Sequence, residues 1–294
     1  MKTITQLISI LVICMFVILI TTFFLQQNML NDNNMQHENF PNKSSKVAKY
    51  NNKDNTIKLE GYVVSVDDTR FNNIKPLLNA LGIDIHQHVP HAYDSEVVLK
   101  AIEEFPLGWD LDIKIRGKCM SNRMAFFDLV HNFANDKNAK NTSWRLIFED
   151  DADLHPSLKP SQAQKAIQEG LMLAADDGAM FMGVCMPVDC TDNRTLTDSS
   201  IVAGKCTGIC AHALAFTKWK AKIIASLIDE LLKPGNPHRT QNFDEMLQFY
   251  SVEHKILALG LNLKSPIPDV YEHYGLFFQN RGKFPSFINE GLQL

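Results

Sequence analysis

An excess of positive charge is missing from this sequence. Its 294 residues include 29 lysines and arginines and 33 aspartates and glutamates, so the formal net charge is −4 at pH 7. Proteins that bind nucleic acid need a basic surface to neutralise phosphates, and this composition therefore argues against a nucleic-acid partner. The sequence also contains no internal repeat, which excludes repeat architectures.

Charge is absent from the 19 residues Leu7–Leu25. At about 1.5 Å per residue, a helix of this length nearly spans a hydrocarbon core of roughly 30 Å. Lys2 precedes the run and the first later charge is Asp32, so the positive-inside rule puts the N-terminus in the cytosol. We predict that residues 1–27 form a cytosolic tip and a signal-anchor helix in a single-pass type II membrane protein. A cleaved signal peptide is the alternative, although the run ends without a small-x-small site.

Periodic apolar positions are lacking in residues 28–56, which are rich in asparagine. Such a segment cannot bury enough surface to offset its ordering entropy, so we predict a flexible stem. If the source is eukaryotic, the remaining residues 57–294 would lie in the lumen of the Golgi or the endoplasmic reticulum. Three glycosylation sequons, at Asn42, Asn141 and Asn193, fit that compartment.

The C-x-x-C spacing typical of zinc sites is also absent. Four of the cysteines fall within 26 residues, at Cys185, Cys190, Cys206 and Cys210. In an oxidising lumen they predict two disulfides, with three connectivities open, and they leave Cys119 as a buried free thiol. A four-thiolate zinc site with unusual spacing is the alternative.

From residue 57 onward, short apolar runs alternate with amphipathic stretches and show no domain break. Strands are predicted at 61–66, 83–89, 144–148, 179–184 and 212–217. Helices are predicted at 72–81, from Ser121, from Ser161, at 218–232 and after a capping box of Asn242 and Glu245. This alternation predicts an α/β fold with a mostly parallel central sheet.

Four carboxylates follow the third of these strands, at Glu149, Asp150, Asp151 and Asp153. Ligands of open α/β sheets bind beyond the carboxyl ends of the strands, and such a cluster favours a divalent cation there. Without a cation, at least one carboxyl should have a raised pKa. Oxygen ligands suit magnesium or manganese, whereas the glycine and glutamate that an EF-hand requires are missing. A solvated acidic turn before a helix is the alternative.

Several stretches occur in an order that is known from one family. They are VVSVDDTR with Asp67 and Arg70, GKCMSNRM with Gly117, Cys119 and Ser121, the Glu149-Asp150-Asp151 strand end, FMGVC with Gly183, HALAFTKWKAKII, TQNFDEML with Asp244, and a late Gln279. Over about residues 62–286, the chain resembles glycosyltransferase family 25, which includes lipooligosaccharide and collagen galactosyltransferases. It departs from the family at Asn122, where histidine is usual, and it lacks the proline and valine expected before Asp244.

The resemblance implies a GT-A fold that transfers galactose or glucose from a UDP-sugar to a glycan or protein acceptor, with manganese or magnesium at the diphosphate. The implied roles are nucleotide-sugar binding for Asp67, Arg70, Glu149 and Asp150, metal binding for Asp151 and Asp153, and general base or acceptor ligand for Asp244. Carboxylates two positions apart on an extended segment point the same way. The pairs Glu149–Asp151 and Asp151–Asp153 therefore both fit one ion, and the register stays open.

Two other functions fit the same sequence. A metal-dependent luminal phosphotransferase or hydrolase could use the acidic cluster, although no nucleophile motif accompanies it. A carbohydrate-binding or scaffold protein without catalytic activity could keep the same fold.

Overall fold

A computed structural model describes residues 57–105, 112–183, 188–197, 200–208, 212–261 and 275–280. They belong to a compact unit that spans Thr56–Leu294. The predicted anchor, with its membrane span Leu7–Leu25, and the predicted stem lie outside these ranges. Within them, no helix combines the length and the apolar character that crossing a membrane requires.

Ten strands and six helices are formed by the described residues. The strands are β1 (Leu59–Val64), β2 (Ile83–His88), β3 (Trp144–Glu149), β4 (Ala152–Leu154), β5 (Ala179–Gly183), β6 (Val188–Thr195), β7 (Val202–Thr207), β8 (Ala213–Thr217), β9 (Ile256–Gly260) and β10 (Phe277–Gln279). The helices are α1 (Asp68–Ala80), α2 (Glu96–Glu104), α3 (Ile113–Asn135), α4 (Pro160–Leu173), α5 (Lys218–Leu231) and α6 (Phe243–Glu253).

Eight of these strands form one sheet, in the order β2-β1-β3-β8-β5-β9-β7-β6. β1 is parallel to β2 and β3, and β5 is parallel to β9. β8 is antiparallel to β3 and β5, and β7 is antiparallel to β6 and β9. Only β7 and β8 therefore run against the other six strands. The predicted α/β class with a mostly parallel central sheet is confirmed.

Both faces of this sheet carry a hydrophobic core, because successive side chains of a strand point to opposite faces. Val63 and Phe148 pack into a core that includes Ile74 of α1 and Ile167 of α4. Their neighbours in the chain point the other way: Val64 and Ile147 pack into a core shared with α3, α5 and α6. Burial on both faces explains why these strands read as continuous apolar runs.

Two helices begin earlier than the sequence predicts. Helix α1 begins at Asp68 because the Asp67 carboxylate accepts a hydrogen bond of 2.8 Å from the backbone N–H of Arg70. It ends before Gly82, whose φ of 74° suits a residue without a Cβ. The prediction that Ser121 begins a helix is wrong, because Asp112 caps α3 about two and a half turns upstream.

A disulfide joins the neighbouring strands β6 and β7 through Cys190 and Cys206. Of the three predicted connectivities, only one contains this bond, and its remaining partners Cys185 and Cys210 lie outside the described residues. The prediction for Cys119 is confirmed: it is a buried free cysteine. Burial raises the pKa of its thiol to about 11, so the thiolate that reacts with oxidants is scarce.

Replacing both cysteines of this bond, as Cys190→Ala/Cys206→Ala, should destabilise the folded chain. The bond closes a loop between residues that are 16 apart in sequence, and a loop of about that length contributes roughly 3 kcal/mol in the chain-entropy model. Thermal unfolding monitored by circular dichroism would measure the loss. Cys119→Ala is the control for removing a buried sulfur, and an equal loss in both variants would contradict the prediction.

Candidate functional site

A cleft of about 70 Å³ lies at the carboxyl ends of β1 and β3. The last residues of these strands, Val64 and Glu149, are paired in the parallel register and both border the cleft. The remaining walls are formed by Val66, Arg70, Pro90, Lys118, Ser121, Asn122, Asp150, Asp151 and Gln279. The acidic cluster therefore lies at the edge of the sheet where open α/β folds bind ligands.

Asp150 is neutralised by an arginine from α1. The guanidinium of Arg70 donates from Nε to Asp150 Oδ2 at 2.7 Å and from Nη2 to Oδ1. Ser65 Oγ adds a donor to the same carboxylate at 2.9 Å. The two charged side chains are only 15% and 11% exposed, so the pair is largely removed from water. Asp150, which the resemblance assigns to the nucleotide sugar, here holds Arg70 in a fixed orientation.

The resemblance also implies nucleotide-sugar binding for Asp67, but this residue is exposed and lies outside the cleft lining. Its carboxylate caps the N-terminus of α1. Because the cap fixes the first turn of α1, it also fixes the position from which Arg70 reaches Asp150. Asp67 therefore supports the site indirectly.

The carboxyl of Glu149 in the cleft has a strongly raised pKa. Burial, followed by the charge of Asp151, raises the pKa of its carboxyl to about 8. Two amide groups hold the carboxyl: Gln279 Nε2 lies 2.7 Å from Oε2, and Asn122 Nδ2 lies 3.4 Å from Oε1. This agrees with the expectation that, without a cation, one carboxyl of the cluster is protonated more readily.

Asp151 and Asp153 lie in different surroundings. Asp151 is 4% exposed and borders the cleft beside Glu149. Asp153 belongs to β4, which pairs with β10, and its carboxylate accepts hydrogen bonds of 2.9 Å from Leu154 N and from Asn280 Nδ2. Asp153 does not line the cleft. The structure therefore brings Glu149 and Asp151 together and leaves Asp153 apart from them.

A metal centre made of protein ligands alone is not seen in the described ranges, where no group of three or more His, Cys, Asp or Glu side chains could hold an ion. The cleft does offer two neighbouring carboxylates, Glu149 and Asp151. Magnesium and manganese are commonly held by one or two carboxylates, with water and phosphate oxygens in the other positions. The donor set therefore fits an ion that arrives with a diphosphate.

Asp244 lies in the first turn of α6, where Glu245 Oε2 accepts a hydrogen bond of 2.8 Å from the N–H of Asn242. Burial raises the pKa of Asp244, and the charge of Glu245 raises it further. The carboxylate does not line the cleft, but its charge raises the pKa values of both Glu149 and Cys119. Asp244 therefore lies near the acidic cluster without bordering the cleft.

Lys118 is a charged residue of the cleft that the sequence patterns did not indicate. It is 2% exposed and shares one face of α3 with Ser121 and Asn122, three and four positions later. That face would have been recognised if the helix had been predicted from Ile113. Gly117 lets α3 approach the loop between β2 and α2, since a Cβ at this position would collide with the carbonyl oxygen of Tyr93.

The comparisons with known proteins add no identification. No protein-family model matches the chain, and no curated protein matches it. Function is therefore inferred from the site and from the order of its motifs.

Replacing Arg70 by methionine should lower the free energy of unfolding by roughly 3 kcal/mol, because Asp150 would remain buried without its counter-ion. Asp150→Asn in the same chain should restore part of the loss. Urea unfolding of the single and double variants would measure this coupling. Lys75→Met, which changes an exposed lysine of the same helix, is the control. Additive losses in the double variant would show that the pair is not coupled.

Stability should fall with rising pH in metal-free buffer because of Glu149. The pKa of this carboxyl is about 8 in the folded chain against an ordinary value of 4.5, so its contribution is complete below 4.5 and is lost as the pH rises through about 8. We expect a loss on the order of 2 kcal/mol. Glu149→Gln should flatten the profile, whereas the exposed control Glu103→Gln should not. Urea unfolding across this range would measure it, and an unchanged slope in Glu149→Gln would contradict the assignment.

Proposed function

We propose that the chain is a metal-dependent glycosyltransferase with a GT-A-like fold that moves galactose or glucose from a UDP-sugar to a glycan or protein acceptor. One observation carries the proposal: the carboxylates of Glu149 and Asp151 share a cleft with the cations of Arg70 and Lys118 at the carboxyl edge of the sheet. Carboxylates beside cations suit a metal-bound diphosphate. The order of the motifs, which resembles that of glycosyltransferase family 25, also supports glycosyl transfer.

Glu149 and Asp151 are the residues that would hold manganese or magnesium. The bound ion would supply Lewis-acid stabilisation of the negative charge on departing UDP. Metal ligands must be deprotonated, so the raised pKa of Glu149 means that loading the site releases a proton from its carboxyl near neutral pH. Asp153 has no part in this set, because its carboxylate is bonded to Asn280 outside the cleft.

Arg70 supplies a cation whose orientation is fixed before the ligand arrives. Its two hydrogen bonds to Asp150 hold the guanidinium in one plane, so binding a phosphate would cost little side-chain entropy. Lys118 of α3 adds a second cation to the cleft lining. Together they would bind the diphosphate oxygens that the metal leaves free.

Asp244 is the proposed general base, and because it does not line the cleft, the acceptor hydroxyl would reach it beside the bound nucleotide sugar. Its pKa is raised by burial, which makes it a better proton acceptor for an acceptor hydroxyl than an exposed aspartate. The hydroxyl oxygen would form the new bond to the sugar carbon as its proton passes to the Asp244 carboxylate and UDP departs.

Residence in a secretory lumen is part of the proposal. The disulfide between Cys190 and Cys206 supports it, because such bonds persist in oxidising compartments. The exposed position of the sequon residues Asn141 and Asn193 is compatible with glycosylation.

A carbohydrate-binding protein without transferase activity is the second candidate. One observation favours it: amide groups of Gln279 and Asn122 already stabilise Glu149, so the cluster does not depend on a metal for its fold. This candidate predicts that Asp151→Asn leaves the biological activity intact.

UDP release by the full-length chain, purified in detergent, would test the transferase proposal. With a panel of UDP-sugars, manganese should give release that is selective for one sugar, and Asp151→Asn should lower it by roughly 100-fold or more. Asp153→Asn is the matched control, because it tests the alternative metal pair Asp151–Asp153. Its UDP release should stay close to that of the parent chain.

No release from any donor by a folded chain would contradict the proposal and favour the second candidate. A titration with UDP and manganese would then show whether the cleft binds the nucleotide without turning it over. Equal losses in Asp151→Asn and Asp153→Asn would overturn the choice of register.

A further inference from the structure

A second cavity, of about 470 Å³, lies at the opposite edge of the sheet from the cleft. It borders the first residues of β5 and β9, Ala179 and Ile256, whereas the cleft borders the last residues of β1 and β3. All four strands run in the same direction. The cavity therefore lies at the amino ends of the strands, with the sheet between it and the cleft. Its volume is within the range of small-molecule sites, about 300–1,000 Å³.

A buried lysine lies in the wall of this cavity. Lys220, in the first turn of α5, is 8% exposed. Its ammonium lies 4.8 Å from the ring centre of Trp219 and 5.3 Å from that of Tyr250. It also donates a hydrogen bond of 2.9 Å to the hydroxyl of Tyr250.

The charge of Lys220 has no acidic partner among the described residues. The neighbouring Lys205 is paired with Asp177 at 2.9 Å, but no carboxylate lies within 4 Å of the Lys220 ammonium in those ranges. A buried ammonium is costly unless its charge and its three N–H donors are satisfied, and Tyr250 accepts only one of them. The other N–H groups of the Lys220 ammonium can therefore donate hydrogen bonds to an anionic group in the cavity.

The rest of the wall combines aromatic, charged and aliphatic side chains, and Lys255 adds another cation to it. The ring of His254 lies 4.8 Å from that of Tyr250, and Trp219 completes the aromatic part of the lining. Asp176 and Glu253 provide carboxylates at the same wall. Aromatic rings bind the C–H face of a sugar, because the ring face is negative and the C–H hydrogens are slightly positive. Carboxylates accept hydrogen bonds from its hydroxyl groups.

We propose that this cavity is a binding site for an acidic saccharide, a pyranose that carries a carboxylate or sulfate group. The acidic group pairs with Lys220, and the sugar ring packs against the aromatic wall. A cationic ligand is disfavoured, because the ammonium of Lys220 beside both rings would repel it. The site is separate from the proposed transfer reaction and does not depend on it.

Calorimetry on the full-length chain in detergent would test the proposal with three probes. Glucuronate has both the ring and the acid, glucose has the ring alone, and inorganic sulfate has the anion alone. A charged hydrogen bond in a buried site corresponds to at least roughly tenfold in affinity. Glucuronate should therefore bind at least about tenfold more tightly than either of the other probes.

Variants locate the binding. Lys220→Met keeps most of the stem and removes the charge, and it should weaken glucuronate binding by roughly tenfold or more. Trp219→Leu should weaken glucuronate binding too. Lys222→Met, an exposed lysine on the same helix outside the cavity, is the matched control and should bind glucuronate as the parent does. Thermal unfolding would confirm that each variant is folded, and Trp219→Leu serves as the test if Lys220→Met is not.

Three results with these probes and cavity variants would overturn the proposal, and a fourth concerns the cleft. They are equal affinity for glucuronate and glucose, sulfate binding as tight as that of glucuronate, and undiminished glucuronate binding in folded Lys220→Met or Trp219→Leu. Glu149→Gln should bind glucuronate normally, since that residue lies in the cleft. Loss of binding in Glu149→Gln would place the saccharide in the cleft and equally overturn the inference, whatever the outcome of the UDP-release assay.

Discussion

The fold around the cleft is organised by repulsion among four carboxylates within five residues. Three of these carboxylates have partners from other parts of the chain. Asp150 is paired with Arg70 of α1, and Glu149 is held by amides from α3 and β10. Asp153 is turned toward Asn280 after β10. Asp151 and Glu149 remain beside one another in the cleft, and their mutual repulsion is the feature that a cation would relieve.

The sequence predicts the class of fold well, because its signals are local. β5 is a short apolar run, β2 alternates apolar with polar residues, and α5 shows a clear amphipathic period. The reversed direction of β7 and β8 could not be predicted, since it depends on pairing between distant strands. Helix α3 was predicted too short because Lys114, Arg116 and Lys118 interrupt the apolar pattern of its first turns.

The candidate site was predicted in part. The position of the acidic cluster at a strand end follows from the sequence, and so does the raised pKa of one carboxyl. The partners do not follow, because Arg70 and Asp150 are 80 residues apart and Glu149 and Gln279 are 130 apart. The second cavity could not be predicted for the same reason. In the sequence, Trp219 and Lys220 look like ordinary residues of an amphipathic helix, and only the fold places Tyr250, 30 residues later, beside them.

The contacts of β10 have a consequence for how the chain matures. Gln279 and Asn280 supply hydrogen bonds to Glu149, to Asp153 and to the backbone carbonyl of Asp151. During synthesis the acidic strand end leaves the ribosome long before these residues do, since domains emerge from the N-terminus. The nascent chain must therefore carry a crowded cluster of negative charge, supported only by upstream partners such as Arg70 and Asn122, until Gln279 closes a loop of 130 residues. A nascent chain or truncated product that ends before Gln279 would contain every carboxylate of the cleft but would lack the hydrogen bonds that Gln279 and Asn280 supply.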